Sequence, residues 1–421
     1  MHHRGEPGGA PTSLSFVIAN LDRDRFEPHV FCPPGRAAQL FREAGATVHE
    51  GTVAAFTHIW ASTYRGRRWL LFARELARLP VHVVELRRVL RAQRFDLVHL
   101  NDSPVIPAAW LAHRARIPVV WHLRSAPPAD GRDRRSRLVR IALLRLAAAR
   151  IAINADVAKL WDVPADVIPN AVALDRFRPG DAAEAGAALG LPPSRPVVSY
   201  FGFVYPSKGF REFILAAASL TDERGLDATF LVVGGGVRSA AFFRSSFGRA
   251  LGLLGLAHDY EAEARELVRE HRLEDRFRFV PFTSDIADLY RASAVVVAPS
   301  QGPEIGRPVL EGAASGVAVV LTGTTTGGGI VEPGRTAVVV ESVGADVLAA
   351  ATAELLEHPE RRAALGSAAR EHALRAFDPV ENTRRVEAVY DRFVAGVTSS
   401  ASSAPAVSAA RTGCRSGPAE P

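Results

Sequence analysis

Lysine is nearly missing from this chain of 421 residues: Lys159 and Lys208 stand against 49 arginines. Cysteine is equally scarce, and Cys32 and Cys414 lie far apart. That excludes a disulfide framework and points to a reducing, cytoplasmic compartment. No apolar run reaches the roughly 20 residues needed to cross a bilayer. The opening MHHRGEPGGAPTS lacks the apolar centre of a signal peptide. What remains is ordinary for a soluble globular protein, 48% hydrophobic and 23% charged. The length suggests about two domains.

The net charge of +6 is unevenly spread. Residues 1–175 carry 25 Lys/Arg and 16 Asp/Glu, whereas the rest of the chain is slightly acidic. The excess sits in Arg65–Arg94 and Arg132–Arg150. A nucleic-acid partner is not indicated, because no zinc spacing, basic-aromatic motif or basic heptad accompanies the charge. An anionic membrane surface, or a substrate bearing pyrophosphate, explains the asymmetry at least as well. A solvated arginine-rich face is the plain alternative.

Apolar runs alternate with helical patterns throughout, the signature of βαβ units around parallel sheets. Strands are expected at 29–32, 47–49, 97–101, 119–123, 150–154 and 167–169, and again at 197–202, 229–234, 277–281, 294–298, 317–321 and 337–341. The spacing predicts helices over 12–21, 36–44, 66–93, 104–115, 135–148, 209–221, 261–271, 285–292, 308–315, 345–357 and 360–376. A Pro/Gly/Ala-rich stretch from Asn170 to Pro196 reads as a linker loop. It divides residues 1–175 from 190–378, and a last helix over 379–396 crosses back to the first unit. The segment 235–260 is poorly patterned and reads as an inserted helix and loop, and the Ser/Ala/Pro-rich tail over 397–421 is expected to be disordered. A βαβ unit should open on a strand, yet GEPGGAP leads straight into a helical pattern. The first strand is therefore expected to be missing, with the true start upstream of Met1.

Two stretches carry chemistry. In AVVVAPSQGPEIGRPVLEGAASGVAVV (294–320), a strand runs through a turn into a short helix, with Glu304 and Glu311 around Gly306-Arg307-Pro308. Carboxylates at the carboxyl end of a parallel strand can accept hydrogen bonds from a ribose diol, and the helix start beside them suits phosphate. In YFGFVYPSKGFREF (200–213), a turn brings Lys208-Gly209 to a helix start. A lysine in a chain that otherwise uses arginine suggests a compact point charge for a diphosphate.

Further segments fall in order around these two. They are PGGAP (7–11), VHLND (98–102), VVWHLRS (119–125), VIPNAVALDRFRPG (167–180), FLVVGGG (230–236) and TTGGGIVEPGRTAVVVE (325–341). The series resembles the retaining glycosyltransferases of family four, over about 400 residues. The resemblance implies a GT-B fold, in which two Rossmann-like α/β domains face a cleft. It implies transfer of a sugar from a UDP- or GDP-sugar to a glycan, lipid-linked or small-molecule acceptor, without cofactor or metal. Glu311 would hold the ribose and Lys208 the diphosphate, and Glu304 would approach the sugar. Gly8, Gly9, Gly202, Gly306, Pro308 and Val309 would line the donor. His122, Arg124 and Asn101 would face the acceptor, with His122, Lys208 and Glu304 as the catalytic set.

Several features depart from the family. Phe203 stands where an arginine usually follows the glycine of the phosphate turn, so a second cation must come from Arg211 or Arg307. Six residues rather than seven separate Glu304 from Glu311. Gly328-Gly329 replaces a common acidic position. These departures leave open a second reading, a degenerate GT-B protein serving as a partner in a glycan-assembly complex. Asp22-Arg23-Asp24 follows a helix in the wrong domain for a metal pair and reads as a solvated turn. A dehydrogenase is disfavoured, because no strand leads into G-x-G-x-x-G with an acid about 20 residues on.

Overall fold

A computed structural model describes residues 1–401 apart from 7, 57–68, 128–132, 237, 284, 303 and 324–326, and the side chains of 395–401. Arg65, Arg67, Arg68, Arg132, the first residues of the Gly-rich loop and the tail beyond Ala401 lie outside the described residues. The first half contains α1 (Gly9–Asn20), β1 (His29–Cys32), α2 (Arg36–Glu43), β2 (Thr47–Glu50), α3 (Trp69–Ala92) and β3 (Val98–Asn101). It continues through α4 (Ile106–Arg114), β4 (Val119–Leu123), α5 (Arg134–Leu146), β5 (Ala149–Ala152), α6 (Ala155–Trp161) and β6 (Asp166–Val167). The second half runs through α7 (Ala182–Ala188), β7 (Val197–Phe201), α8 (Phe210–Ala218), β8 (Thr229–Val233), α9 (Ala240–Arg244), α10 (Ser246–Leu253), α11 (Tyr260–Glu270) and β9 (Phe277–Val280). It ends with α12 (Ala287–Ala292), β10 (Val295–Ala298), α13 (Arg307–Ala314), β11 (Ala318–Thr322), β12 (Val338–Val340), α14 (Ala345–Glu357), α15 (Pro359–Ala376) and α16 (Pro379–Ala401).

The second sheet is parallel with order β12-β11-β10-β7-β8-β9. Its inner strands read as largely apolar runs because helices cover both faces. Side chains alternate accordingly: Val198 and Tyr200 enter one core layer, and Val197 and Phe201 the other. Chain order reverses between β7 and β10, which opens a crevice at their carboxyl ends.

The first half holds β1-β2 and β3-β4-β5-β6 as separate parallel sheets. As expected, no strand precedes α1 among the described residues. Residues 1–3 occupy the gap: His2 N–H donates to Phe31 O and Asn101 N–H to Met1 O, each at 3.0 Å. One bridge between His2 and Asn101 thus joins the sheets. Beside it the two edges part around a cavity of about 350 Å³ lined by Leu14, Val17, Val30, Leu86 and Val98.

Two differences have packing reasons. The stretch expected as a linker loop contains α7, capped by Asp181, whose carboxylate accepts from Ala183 and Glu184 N–H. Ala185 and the neighbouring Val172, Phe177 and Leu191 are buried in the second half's core. The poorly patterned segment forms the short helices α9 and α10. Helix α16 packs on the first half, where Val386, Val389 and Tyr390 share a core with Val17, Val120 and Ile151. No helix among the described residues is long and apolar enough to cross a membrane.

Candidate functional site

The loops after β7 and β10 meet at the crevice. A single 3-10 turn, Pro206–Lys208, ends at Gly209 with φ +74°. A Cβ on Gly209 would lie 1.9 Å from Pro299 O, so only glycine allows this approach. Gln301 N–H donates to Ser207 O at 3.0 Å and ties the turn to the loop that carries Glu304. Lys208 is thereby fixed at the start of α8, close enough to Glu304 to favour its ionised form. Burial acts more strongly in the opposite direction and raises the Glu304 pKa.

Glu304 is 8% exposed and reaches across to the first half, where its Oε1 accepts from Ala126 N–H at 2.8 Å. Its Oε2 is buried and has no hydrogen-bond partner. Glu311, one helix face further on, has both oxygens engaged: Oε1 accepts from Arg307 Nε and Oε2 from Tyr290 Oη, each at 2.9 Å. Burial and the adjacent carboxylate hold the Tyr290 phenol well above its ordinary value, so it remains a donor. A carboxylate offers about four acceptor sites, so two remain for hydroxyls.

On the first half, Gly8 and Gly9 open α1 with no side-chain cap, as Gly209 opens α8 and Gly306 opens α13. Amides at such helix starts are available to an anion. A Cβ on Gly9 would lie 3.7 Å from Arg307 Cδ, which places the starts of α1 and α13 side by side. Arg307 also donates to Ala171 O at 3.1 Å and to Ser13 Oγ at 3.4 Å. Gly328, at φ +59°, approaches α6, where a Cβ would lie 3.1 Å from Asp156 Oδ2. These contacts close the crevice between the two halves.

His122 is the last residue but one of β4 and is buried. Burial holds it well below the ordinary imidazole value, with Arg124 and His99 adding to the effect. Arg124 Nη2 lies 3.4 Å from its Nδ1. A guanidinium can only donate, so Nδ1 accepts and the proton resides on Nε2, a buried atom with no partner. Arg124 lies near Asp102 but is hydrogen-bonded elsewhere. It donates to Asn101 Oδ1, and to Asn170 Oδ1 at 2.5 Å. Burial pulls its pKa down to about 10, which leaves it charged at neutral pH. Asp102 instead accepts from Ser125 Oγ and Ser103 N–H, and its backbone sits at φ +87°. Asn101 is completely buried between His2, Ala10 O and Arg124 and acts as a crosslink.

The structure thus brings Lys208, Glu304, Gly306, Glu311, Gly9, His122 and Arg124 to one crevice. Val309 is different: its side chain lies in the core and its N–H donates to Gly306 O. Pro308 occupies the first turn of α13, where a missing N–H costs nothing. Gly202, at φ +142°, leads into Phe203, whose ring stacks on Phe282 at 6.0 Å between centroids. Of the two possible second cations, Arg211 pairs with Glu263. Arg307 enters the crevice, bound to Glu311 four residues on. The Asp22-Arg23-Asp24 turn is exposed, and Arg23 holds Ile18, Ala44 and Gly45 carbonyls. Tyr290, Asn170 and the Ala126 amide were not legible as site groups. Only the i, i+4 spacing of Arg307 and Glu311 gave a local signal.

The profile of the glycosyl transferases of group 1 matches residues 181–372, and that of the glycosyl transferase 4-like domain matches residues 8–171. The chain is 29% identical over 316 residues to a D-inositol 3-phosphate glycosyltransferase of Saccharomonospora viridis, covering 68% of this chain and 69% of that protein. It is 31% identical over 252 residues to the lipopolysaccharide core biosynthesis mannosyltransferase LpsB of Rhizobium meliloti, covering 59% and 67%. Among solved structures, Anabaena HepE in complex with UDP-glucose superposes with a TM-score of 0.73 at 22% identity, covering 95% of this chain and 98% of that one.

Proposed function

The chain belongs to the group 1 glycosyl transferases, with the two facing Rossmann-like sheets of a GT-B fold, and we propose that it transfers a sugar from a nucleotide diphosphate donor. In this reading the donor is a UDP- or GDP-sugar, and the acceptor is a glycan, a lipid-linked sugar or a small molecule. Configuration at the anomeric carbon is retained, and no metal is used. The observation that carries the reading is the Glu304–Ala126 hydrogen bond at 2.8 Å. It ties the loop that carries Glu304, and with it the Lys208 turn, to the backbone just beyond the His122–Arg124 strand end.

The leaving diphosphate gains negative charge as the sugar–oxygen bond breaks. Lys208 and the amides opening α1, α8 and α13 lie where they can stabilise that charge, and stabilisation that grows with charge lowers the barrier. Glu311, oriented by Arg307 and Tyr290, has acceptor sites for the ribose hydroxyls. The Nε2–H of His122 can donate to a hydroxyl of the transferred sugar. Among the described residues this reading assigns no side chain as covalent nucleophile, so attack from the leaving-group face suits retention. The phosphate then takes the acceptor proton.

A panel of nucleotide sugars tests this, read by thermal shift and by the anomeric configuration of the product in NMR. Turnover of one donor with retained configuration is expected; inverted product would refute the front-face route. The second reading, a degenerate partner protein, is favoured by Phe203 in place of a cation and by the six-residue spacing between Glu304 and Glu311. Any donor cleavage by the purified chain rules it out.

A peripheral position on an anionic membrane is part of the proposal. Leu138, Ile141 and Leu144 form an exposed apolar stripe on α5 beside Arg134, Arg137 and Arg145. The opposite face of α5 already fills the core with Val139, Ala142 and Leu143. Trp69, Leu70 and Phe72 on α3 are also exposed. Flotation with anionic vesicles should weaken as salt rises; binding unaffected by salt would contradict the electrostatic part.

A further inference from the structure

The segment between β8 and α11 leaves the sheet from the carboxyl edge that carries the site. It folds as a closed pair of helices. Ser245 ends α9 and caps α10, accepting from Gly248 N–H at 3.0 Å. Gly248 lies against α9 so closely that a Cβ would meet Phe242 O at 1.9 Å. Phe242 packs edge-on against Phe243 and Phe247, with centroids 5.2 and 6.2 Å apart. The pair is therefore a defined unit rather than a loose loop.

Its outer surface is apolar and basic. Phe247, Leu253 and Leu254 are 66%, 86% and 42% exposed. From Gly236 to His258 there is no acidic residue, while Arg238, Arg244 and Arg249 are all exposed. Large apolar side chains flanked by unopposed arginines match the boundary between anionic headgroups and acyl chains. A second copy of the same face fits poorly, because it would set arginine against arginine.

We propose that the α9–α10 hairpin is a membrane-contact element of the second half. Phe247, Leu253 and Leu254 enter an anionic lipid surface, and Arg238, Arg244 and Arg249 pair with lipid phosphates. The proposal rests on the peripheral-membrane reading and adds a second point of attachment, distinct from α5.

Flotation of the full chain compares phosphatidylcholine vesicles with and without phosphatidylglycerol. F247S/L253S/L254S and R238S/R244S/R249S should each lower the bound fraction on phosphatidylglycerol vesicles about tenfold. A small fall in thermal midpoint is expected for both, because Phe247 and Arg238 each touch the Phe242 ring; L253S/L254S, which spares those contacts, should lower the bound fraction with the midpoint unchanged. L138S/I141S/L144S serves as the comparison for α5. Parent-like binding by both hairpin variants, with loss only in the α5 variant, overturns the hairpin proposal and leaves the membrane reading standing. Failure of the parent chain to bind overturns both. A dimer in solution that F247S/L253S/L254S converts to monomer also overturns the proposal, because the face would then pair copies of the chain.

Discussion

At the scale of single residues, the site is set by how its carboxylates are held. Arg307 and Glu311 are 11% and 7% exposed at their side chains and form an ion pair at 2.9 Å. Removing one charge of such a pair strands the other, at a cost approaching ~3–5 kcal/mol. Glu311→Gln should therefore lower both turnover and stability, which makes it a poor isolated test of ribose binding. Tyr290→Phe is cleaner: it deletes one hydrogen bond to a charged group, about 1.5–3 kcal/mol. The expected outcome is a raised donor KM with a modest fall in the denaturation midpoint. An unchanged KM would detach Glu311 from the donor.

At the scale of elements, the turn before α8 depends on a glycine for two reasons. Gly209 has φ +74°, and a Cβ would collide with Pro299 O. Gly190 provides the control, with φ +64° and nothing near its Cβ position. Gly190→Ala should cost about 1 kcal/mol from backbone conformation alone. Gly209→Ala should cost several-fold more and displace Lys208, which urea denaturation and donor turnover would show together. Elements were legible where periodicity was strong. Val197–Phe201 and Ala318–Thr322 are buried runs that are apolar but for Ser199 and Thr322, and Arg134–Leu146 buries Ser136, Val139 and Leu143 at helical spacing. Helix α7 was hidden because AAEAGAA has little amphipathic contrast, although Asp181 and Glu184 form a readable capping pattern. The bond between Ala126 and Glu304 spans 178 positions and leaves no local trace. Lys208 was legible for a different reason: it breaks the chain's preference for arginine.

At the scale of the whole molecule, the buried histidines make stability depend on pH. His2, His99 and His122 are held well below the ordinary value of 6.5, chiefly by burial. Unfolded imidazoles titrate first, so below about pH 6.5 the unfolded chain binds more protons and stability falls on acidification. Glu304 has the opposite sign. Its raised pKa adds stability below the ordinary value of 4.5, and that contribution is lost as pH rises through its folded value. The histidines govern the range above it, and the melting midpoint should drop by several degrees between about pH 7.5 and about pH 5.5. A flat profile would mean that these imidazoles reach solvent. The central claim concerns the lysine at the crevice, and the chain's other lysine supplies its control, since Lys159 is exposed on α6. The most direct measurement is the rate of nucleoside diphosphate release from the accepted donor by Lys208→Ala and Lys159→Ala. The account predicts a loss of about 10²–10³ in kcat for Lys208→Ala and none for Lys159→Ala; equal rates in both variants would contradict it.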